Sequence, residues 1–306
     1  MAEKTLDPVE VSQALRRAGF RFRASELQIE AREERWLVRM DGERLAWFAA
    51  SATALERLRT ERRLLRLLEA RCTFLAPRVL FESGDGSFDV RTVVPGGCDV
   101  GAVYSELRDN RDRAVQLGAA VGAILAEQHS RIDASDVAQW LPRNPAWPEP
   151  REWIRERLPR VIDDVELIAR AESVMDAYES VVPEEADRVL VHADVGLHNL
   201  AIDPKSFSLQ GIYDYEGAAW ADRHHDFQYL VFDHDRYEML DAASSVYEEV
   251  VGRRIRRDRV LLYNAACAIS FLAFRAGIEP DKRWCGRTLA EDLDWSRGAI
   301  NRALAS

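Results

Sequence analysis

The chain has 306 residues, 47% hydrophobic and 31% charged, with a formal net charge of −10. This length and composition describe a soluble protein with enough apolar mass for two lobes, and the acidic balance argues against nucleic-acid or anionic-membrane partners. No apolar run has transmembrane length and no signal-peptide pattern opens the chain, so the expected location is the cytoplasm.

In chain order, Asp7-Pro8-Val9-Glu10 reads as a capped helix start with proline at the first helical position, and Gly19 ends that helix. The stretch ELQIEAREERWLVRMDGERLAWFAAS reads as strands, with Asp41-Gly42 as a hairpin turn that pairs Arg35 with Phe48 and Arg39 with Arg44. Leu55, Leu58, Leu65 and Leu68 recur at helical spacing over 53–70. RVLFES and SFDVRTVV flank Gly84-Asp85-Gly86 as a second hairpin, and Pro95-Gly96-Gly97 then punctuates the chain. Residues 1–95 are thus expected to form a strand-rich unit holding one long helix, and 96–306 a helical one broken by a single strand pair around 189–214. Residues 141–150 are Pro-rich and read as a loop between helices. Residues 261–277 are apolar nearly all round, the pattern of a core helix.

The run VLVHADVGLHNLAID interrupts an apolar strand pattern with His192, Asp194 and Asn199. Read as a hairpin, the following residues pair Leu200 with Tyr213 and Ile202 with Gly211, so that Asn199 and Asp214 leave neighbouring strands at the same end, roughly 5 Å apart in backbone. An amide oxygen and a carboxylate there suit a hard cation such as Mg²⁺, and Asp194 is a carboxylate able to accept a hydroxyl proton. His192, Asp194, Asn199 and Asp214 together fit the kinase catalytic-loop pattern H-x-D-x-x-x-x-N with its later metal aspartate.

At these residues the sequence resembles the aminoglycoside phosphotransferase and choline kinase family. The resemblance extends through YDYEGAAWADRHHDFQYL, where Asp222, Arg223 and Asp226 match the family's D-R-x-x-D motif, through the helix LGAAVGAILAEQHS, and through VRTVVPGG, which resembles the strand entering the adenine hinge. It implies a two-lobed, protein-kinase-like α+β fold with an antiparallel-sheet N-lobe and a mostly helical C-lobe. It also implies phosphoryl transfer from ATP or GTP to a small-molecule hydroxyl, with Asp194 as base, His192 holding the loop, Mg²⁺ on Asn199 and Asp214, and Asp226 as a structural anchor. Ala46 and Val94 are the implied adenine contacts.

The family's strand lysine is absent: Phe48 occupies its position in RLAWFAAS, and no lysine occurs between Lys4 and Lys205. Its helix glutamate is present as Glu61. Arg35, opposite the vacancy in the expected register, is the first candidate for the missing charge, with Arg39 and Arg44 on the same face. The alternative is a pseudokinase, a nucleotide-binding or regulatory protein without chemistry.

Two further groups invite readings. His198, His224, His225 and Asp226 suggest a metal-dependent hydrolase, although no His-x-x-x-His spacing supports it. The resemblance assigns acceptor binding to the C-terminal part, where Asp233, Asp235, Glu238, Glu291, Asp292 and Asp294 offer charge and Trp284 and Trp295 offer cation–π faces; a solvated helix surface is the plain alternative.

Overall fold

Asp7 accepts a hydrogen bond from the Val9 N–H (2.9 Å), and Pro8 has no N–H to satisfy, so helix α1 (Pro8–Arg17) begins there. Gly19, at φ +91°, makes the left-handed turn that ends it. The computed structural model describes residues 6–32, 34–97, 99–232, 236–284 and 287–306. It divides into two units: Met1–Gly96 with the returning segment Gln210–Glu216, and Gly97–Leu209 with Gly217–Ser306.

The first unit is a five-stranded antiparallel sheet, β1 (Gln28–Arg32), β2 (Arg35–Arg39), β3 (Arg44–Ala49), β4 (Val79–Glu82) and β5 (Phe88–Thr92), in the order β1-β2-β3-β5-β4. Between β3 and β4 runs α2 (Ala52–Arg71), capped by Ser51, whose hydroxyl accepts the Ala54 N–H. One sheet face buries Val38, Ala46, Phe88 and Val90 against Val11 and Leu15 of α1. The other carries Arg35, Trp47, Asp89 and Arg91, the polar side on which Glu61 and Arg62 of α2 find their partners.

The first hairpin corrects the expected register by one residue. Arg35 pairs with Ala49, Trp36 with Phe48, and Arg39 with Leu45. The cause is the Asp41 carboxylate, which accepts the N–H groups of Glu43 (2.9 Å) and Arg44 (2.6 Å) and so draws three residues into the turn instead of two. Side chains alternate across a strand, so the shift reverses the faces. Phe48 lies on the α1 face, stacked on Phe88 with centroids 4.7 Å apart, and Arg35 lies on the opposite one. Arg44 follows Phe48, with its guanidinium over the rings of Phe20 and Phe22.

The second unit contains α3 (Val100–Asp109), α4 (Arg111–Arg131), α5 (Ala134–Val137), α6 (Arg151–Arg157), α7 (Val165–Glu179), α8 (Glu238–Val251), α9 (Arg257–Arg275) and α10 (Leu289–Ala305). Helix α9 is buried almost throughout its length, its Ile269 and Leu272 packed with Val174 of α7 and Ile300 of α10. Gly118 and Gly122 let α4 approach α8 until backbones touch: a Cβ on Gly118 would lie 2.2 Å from the Met239 carbonyl oxygen. Residues 141–150 lie outside helices and strands, as expected.

Where a single strand pair was expected, four short strands occur: β6 (Arg188–Val191), β7 (Leu200–Ile202), β8 (Leu209–Ile212) and β9 (Ala219–Asp222). β6 pairs antiparallel with β9, Arg188 opposite Asp222. The turn after β7 closes with the Asp203 N–H on the Ser208 carbonyl (2.9 Å), two residues away from the expected Ile202–Gly211 register. Here too an aspartate sets the turn, as Asp203 Oδ1 accepts the N–H groups of Lys205 and Ser206. Among the described residues, no helix is long and apolar enough to cross a membrane.

Candidate functional site

The loop leaving β6 is held in an unfavourable backbone conformation. Ala193 has φ +71°, a region that costs a non-glycine residue about 1–2 kcal/mol. What holds it is Asp226, a fully buried carboxylate whose Oδ1 accepts the Ala193 N–H (2.7 Å) and whose Oδ2 accepts the His192 N–H (3.1 Å). His129 Nε2 lies 2.9 Å from the same Oδ2, and Gln228 donates to the Ala193 carbonyl at 3.0 Å. Gln128 donates to the Leu190 carbonyl (2.9 Å) and ties α4 to β6.

The result of this anchoring is the position of Asp194, whose N–H donates to His192 Nδ1 (3.2 Å). His192 therefore presents a lone pair inward, the behaviour of a loop-holding group. The Asp194 carboxylate meets Asn199 Nδ2 at 2.9 Å and His198 Nε2 at 3.0 Å. Burial raises its pKa, but the hydrogen bond and charge of His198, with His192 and Asn199, outweigh that and hold it below the ordinary carboxylate value. An ionised carboxylate at neutral pH is what a proton acceptor requires. Asn199 Nδ2 also donates to the Asp194 carbonyl (2.9 Å), which leaves Oδ1 as the amide atom suited to a cation.

In the first unit, Glu61 of α2 holds two arginines. Arg91 Nη1 lies 2.8 Å from one of its oxygens and Arg35 Nη1 3.5 Å from the other. Burial opposes charge on Arg91, but Glu61 and Asp89 more than offset it and raise its pKa. Arg35 also lies over the Trp47 ring, 4.4 Å from the centroid, and its Nη2 donates to Glu216, which Arg57 approaches at 3.4 Å. Burial raises the Glu216 carboxyl, with Glu61 and Asp214 adding repulsion against the pull of Arg35 and Arg57. Asp214 itself is exposed, at φ +69°, a left-handed conformation that aspartate tolerates better than most residues.

Thus Asp194, His192, Asn199 and Asp226 come together within the second unit, and Arg35 and Glu61 within the first. Arg39 is exposed at the end of β2. Val94 is buried, whereas Ala46 faces the α1 cluster, away from Glu61. Arg91 and Glu216 were missed. The available signals were two charges, Asp89 and Arg91, on one face of an apolar strand, and a second acid two residues beyond Asp214.

The remaining candidates have other occupations. His224 accepts the Arg256 N–H at Nε2 (3.0 Å) and meets Asp222 at Nδ1 (2.5 Å), while His225 stacks on Tyr263 at 4.1 Å. Among the described residues no group of three His, Cys, Asp or Glu side chains could hold a metal ion. Asp292 is buried between Arg275 and Arg287, and Glu291 belongs to the capping box of α10. Trp295 faces the Arg287 guanidinium at 4.9 Å, Trp284 packs edge-on against Phe274, and Glu238 pairs with Arg236. Asp233 and Asp235 lie outside the described residues.

Residues 13–257 match the family model described as "Phosphotransferase enzyme family". No curated protein sequence matches the chain. Among solved structures, the GDP and kanamycin complex of APH(2")-IIia is 17% identical with a TM-score of 0.62, the match covering 97% of this chain and 98% of that one. The streptomycin–ATP–APH(2")-IIa ternary complex is 15% identical, with a TM-score of 0.64 and coverage of 98% and 99%. The apoenzyme of macrolide 2'-phosphotransferase MphH from Brachybacterium faecium is 17% identical, with a TM-score of 0.63 and coverage of 96% and 98%. The fold is the protein-kinase-like one of these neighbours, with an antiparallel-sheet first unit and a mostly helical second.

Proposed function

Because the chain belongs to the phosphotransferase enzyme family, we propose that it moves the γ-phosphoryl group of ATP or GTP onto a hydroxyl of a small molecule, such as an amino sugar or amino alcohol. The observation that carries this reading is the Asp194 carboxylate, ionised and set between Asn199 and His198 on a loop that Asp226 fixes through two backbone amides.

On this reading Asp194 accepts the proton of the acceptor hydroxyl. The hydroxyl oxygen forms the new bond to the γ-phosphorus, and the bond from that phosphorus to the β,γ-bridging oxygen breaks, its electron pair leaving on the nucleoside diphosphate. Asn199 Oδ1 and the Asp214 carboxylate are hard oxygen donors of the kind Mg²⁺ takes, and we assign the ion to them; when bound it neutralises phosphate charge. Arg35 supplies the positive charge that the missing lysine would bring to the nucleotide phosphates, supported by Trp47 and set by Glu61, with Arg39 as a second, exposed contributor. Neighbours in complex with GDP and with ATP support a nucleotide donor of either kind.

The pseudokinase alternative draws on one observation: Arg35 is already engaged by Glu61 and Glu216. Calorimetric titration of ATP and GTP, with and without Mg²⁺, on the wild type, Asp214→Asn and Arg35→Ala, tests both readings. Mg²⁺-dependent binding weakened by both substitutions, followed by phosphorylation of an aminoglycoside or amino alcohol, is expected. Binding with neither phosphate release nor acceptor phosphorylation leaves the pseudokinase; the absence of any nucleotide binding refutes phosphotransfer and leaves a regulatory protein on the same scaffold.

A further inference from the structure

Both side-chain donors to Asp194 fall on the same oxygen. Asn199 Nδ2 is 2.9 Å and His198 Nε2 3.0 Å from Oδ2, and among the described residues neither reaches Oδ1. A carboxylate pinned through one oxygen has its torsion fixed and presents the other in a set direction. His198 stands between Gly196 and Tyr229, whose ring meets the imidazole edge-on with centroids 6.5 Å apart.

Gly196 supplies an independent observation. Its backbone, at φ −92° and ψ 164°, is a conformation that any residue adopts. A Cβ there would nevertheless lie 2.5 Å from Cε1 and 2.7 Å from Nδ1 of His198. The chain conformation does not require glycine at this position; the folded-back imidazole does.

Resting on the phosphotransfer reading, we infer that His198 is a positioning residue for the proton acceptor. Its Nε2–H pins Oδ2 of Asp194 so that Oδ1 meets the acceptor hydroxyl. The hydroxyl proton then passes to Oδ1 as the oxygen attacks the γ-phosphorus and the bridging P–O bond breaks toward the nucleoside diphosphate. Gly196 is the companion of this role, because it leaves the space the imidazole occupies.

The acceptor being unidentified, water serves as the probe: release of inorganic phosphate from Mg²⁺–ATP and Mg²⁺–GTP, measured on the wild type, His198→Ala, His198→Gln, Gly196→Ala and the double variant Gly196→Ala/His198→Ala. His198→Ala and Gly196→Ala should each lower kcat about tenfold while nucleotide Kd, read by calorimetry, stays within about twofold. Glutamine, whose amide nitrogen can stand where Nε2 stands, should restore most of the rate. The double variant should be no slower than either single one, since the clash disappears with the imidazole. Imidazole ¹⁵N spectra of the nucleotide-free protein should show His198 protonated at Nε2.

A His198→Ala rate equal to wild type, losses that multiply in the double variant, or a His198 carrying its proton only on Nδ1 would each overturn the proposal. Wild type that releases no phosphate from either nucleotide and phosphorylates no acceptor removes the phosphotransfer reading itself, and the proposal with it.

Discussion

Replacing Asp226 with asparagine tests the anchoring of the loop after β6 with almost no change in volume. The carboxylate accepts three donors, the N–H groups of Ala193 (2.7 Å) and His192 (3.1 Å) and His129 Nε2 (2.9 Å), in a fully buried setting. An amide has only one acceptor oxygen. If its NH₂ replaces Oδ1 it faces the Ala193 N–H, and if it replaces Oδ2 it faces the His192 N–H, so at least one buried donor loses its partner in either orientation. A hydrogen bond to a charged group is worth about 1.5–3 kcal/mol and a buried unsatisfied group costs about 1–3 kcal/mol more, which together give a loss of about 3–5 kcal/mol. At about 2–4 °C per kcal/mol for a chain of a few hundred residues, Tm should fall by about 10 °C. Amide exchange at His192 and Ala193 should accelerate with it, because Asp226 accepts both of these N–H groups and Ala193 sits at φ +71°. Phosphate release should fall with nucleotide affinity unchanged. A variant that melts within about 2 °C of wild type, with those two amides still protected, would refute the account of the loop.

Two further predictions concern stability. Gly118→Ala places a methyl 2.2 Å from the Met239 carbonyl oxygen and 2.8 Å from its Cα, both backbone atoms that cannot step aside, so α4 and α8 must separate. A loss of about 3 kcal/mol is expected in urea titration, and a variant as stable as wild type would show that the two helices do not touch there. The second is a pH effect. Burial pushes His225 down to about 4 from an ordinary value near 6.5, so below that ordinary value the unfolded chain takes up a proton that the folded one refuses. Stability from this group is complete above pH ~6.5 and declines as pH falls towards ~4, by about 3 kcal/mol in all. His225→Phe keeps a ring on Tyr263 and should flatten the urea midpoint between pH 7 and 4.5 by that amount; an unchanged slope would exclude His225 as its source.

What the sequence made legible was periodicity and the polar interruption of it. The cap of α1, the hydrophobic spacing of α2 and the all-round burial of α9 are local, and each left its mark in consecutive residues. The polar loop after β6 was legible for the opposite reason: His192, Asp194 and Asn199 have no place in an apolar strand. Register was not legible, because in both hairpins it depends on an aspartate turning its carboxylate onto backbone amides, Asp41 in one and Asp203 in the other. Strand β9 was missed for a related reason: four residues pairing with β6 across more than twenty intervening positions leave little local pattern. Arg91 escaped because a charged residue on a strand reads as solvent-facing until its partners, Glu61 and Asp89, are placed beside it.

The register of β3 also changes the meaning of the missing lysine. In the sequence, Phe48 looks like a lysine that was lost. In the fold, its half-buried ring packs against the apolar cluster under α1, with Val38, Ala46 and Val90, and stacks on Phe88, surroundings that suit a ring better than an ammonium group. The face that holds Glu61 is served by Leu45 and Trp47 from this strand, and Trp47 carries the Arg35 guanidinium on its ring. A planar, permanently charged group stacked on an indole and bonded at its edge is something guanidinium does well and ammonium does poorly. On the phosphotransfer proposal, Arg35, Arg91 and Trp47 would act together as the substitute: arginines from β2 and β5 already meet the Glu61 carboxylate, and Phe48 packs with the α1 cluster.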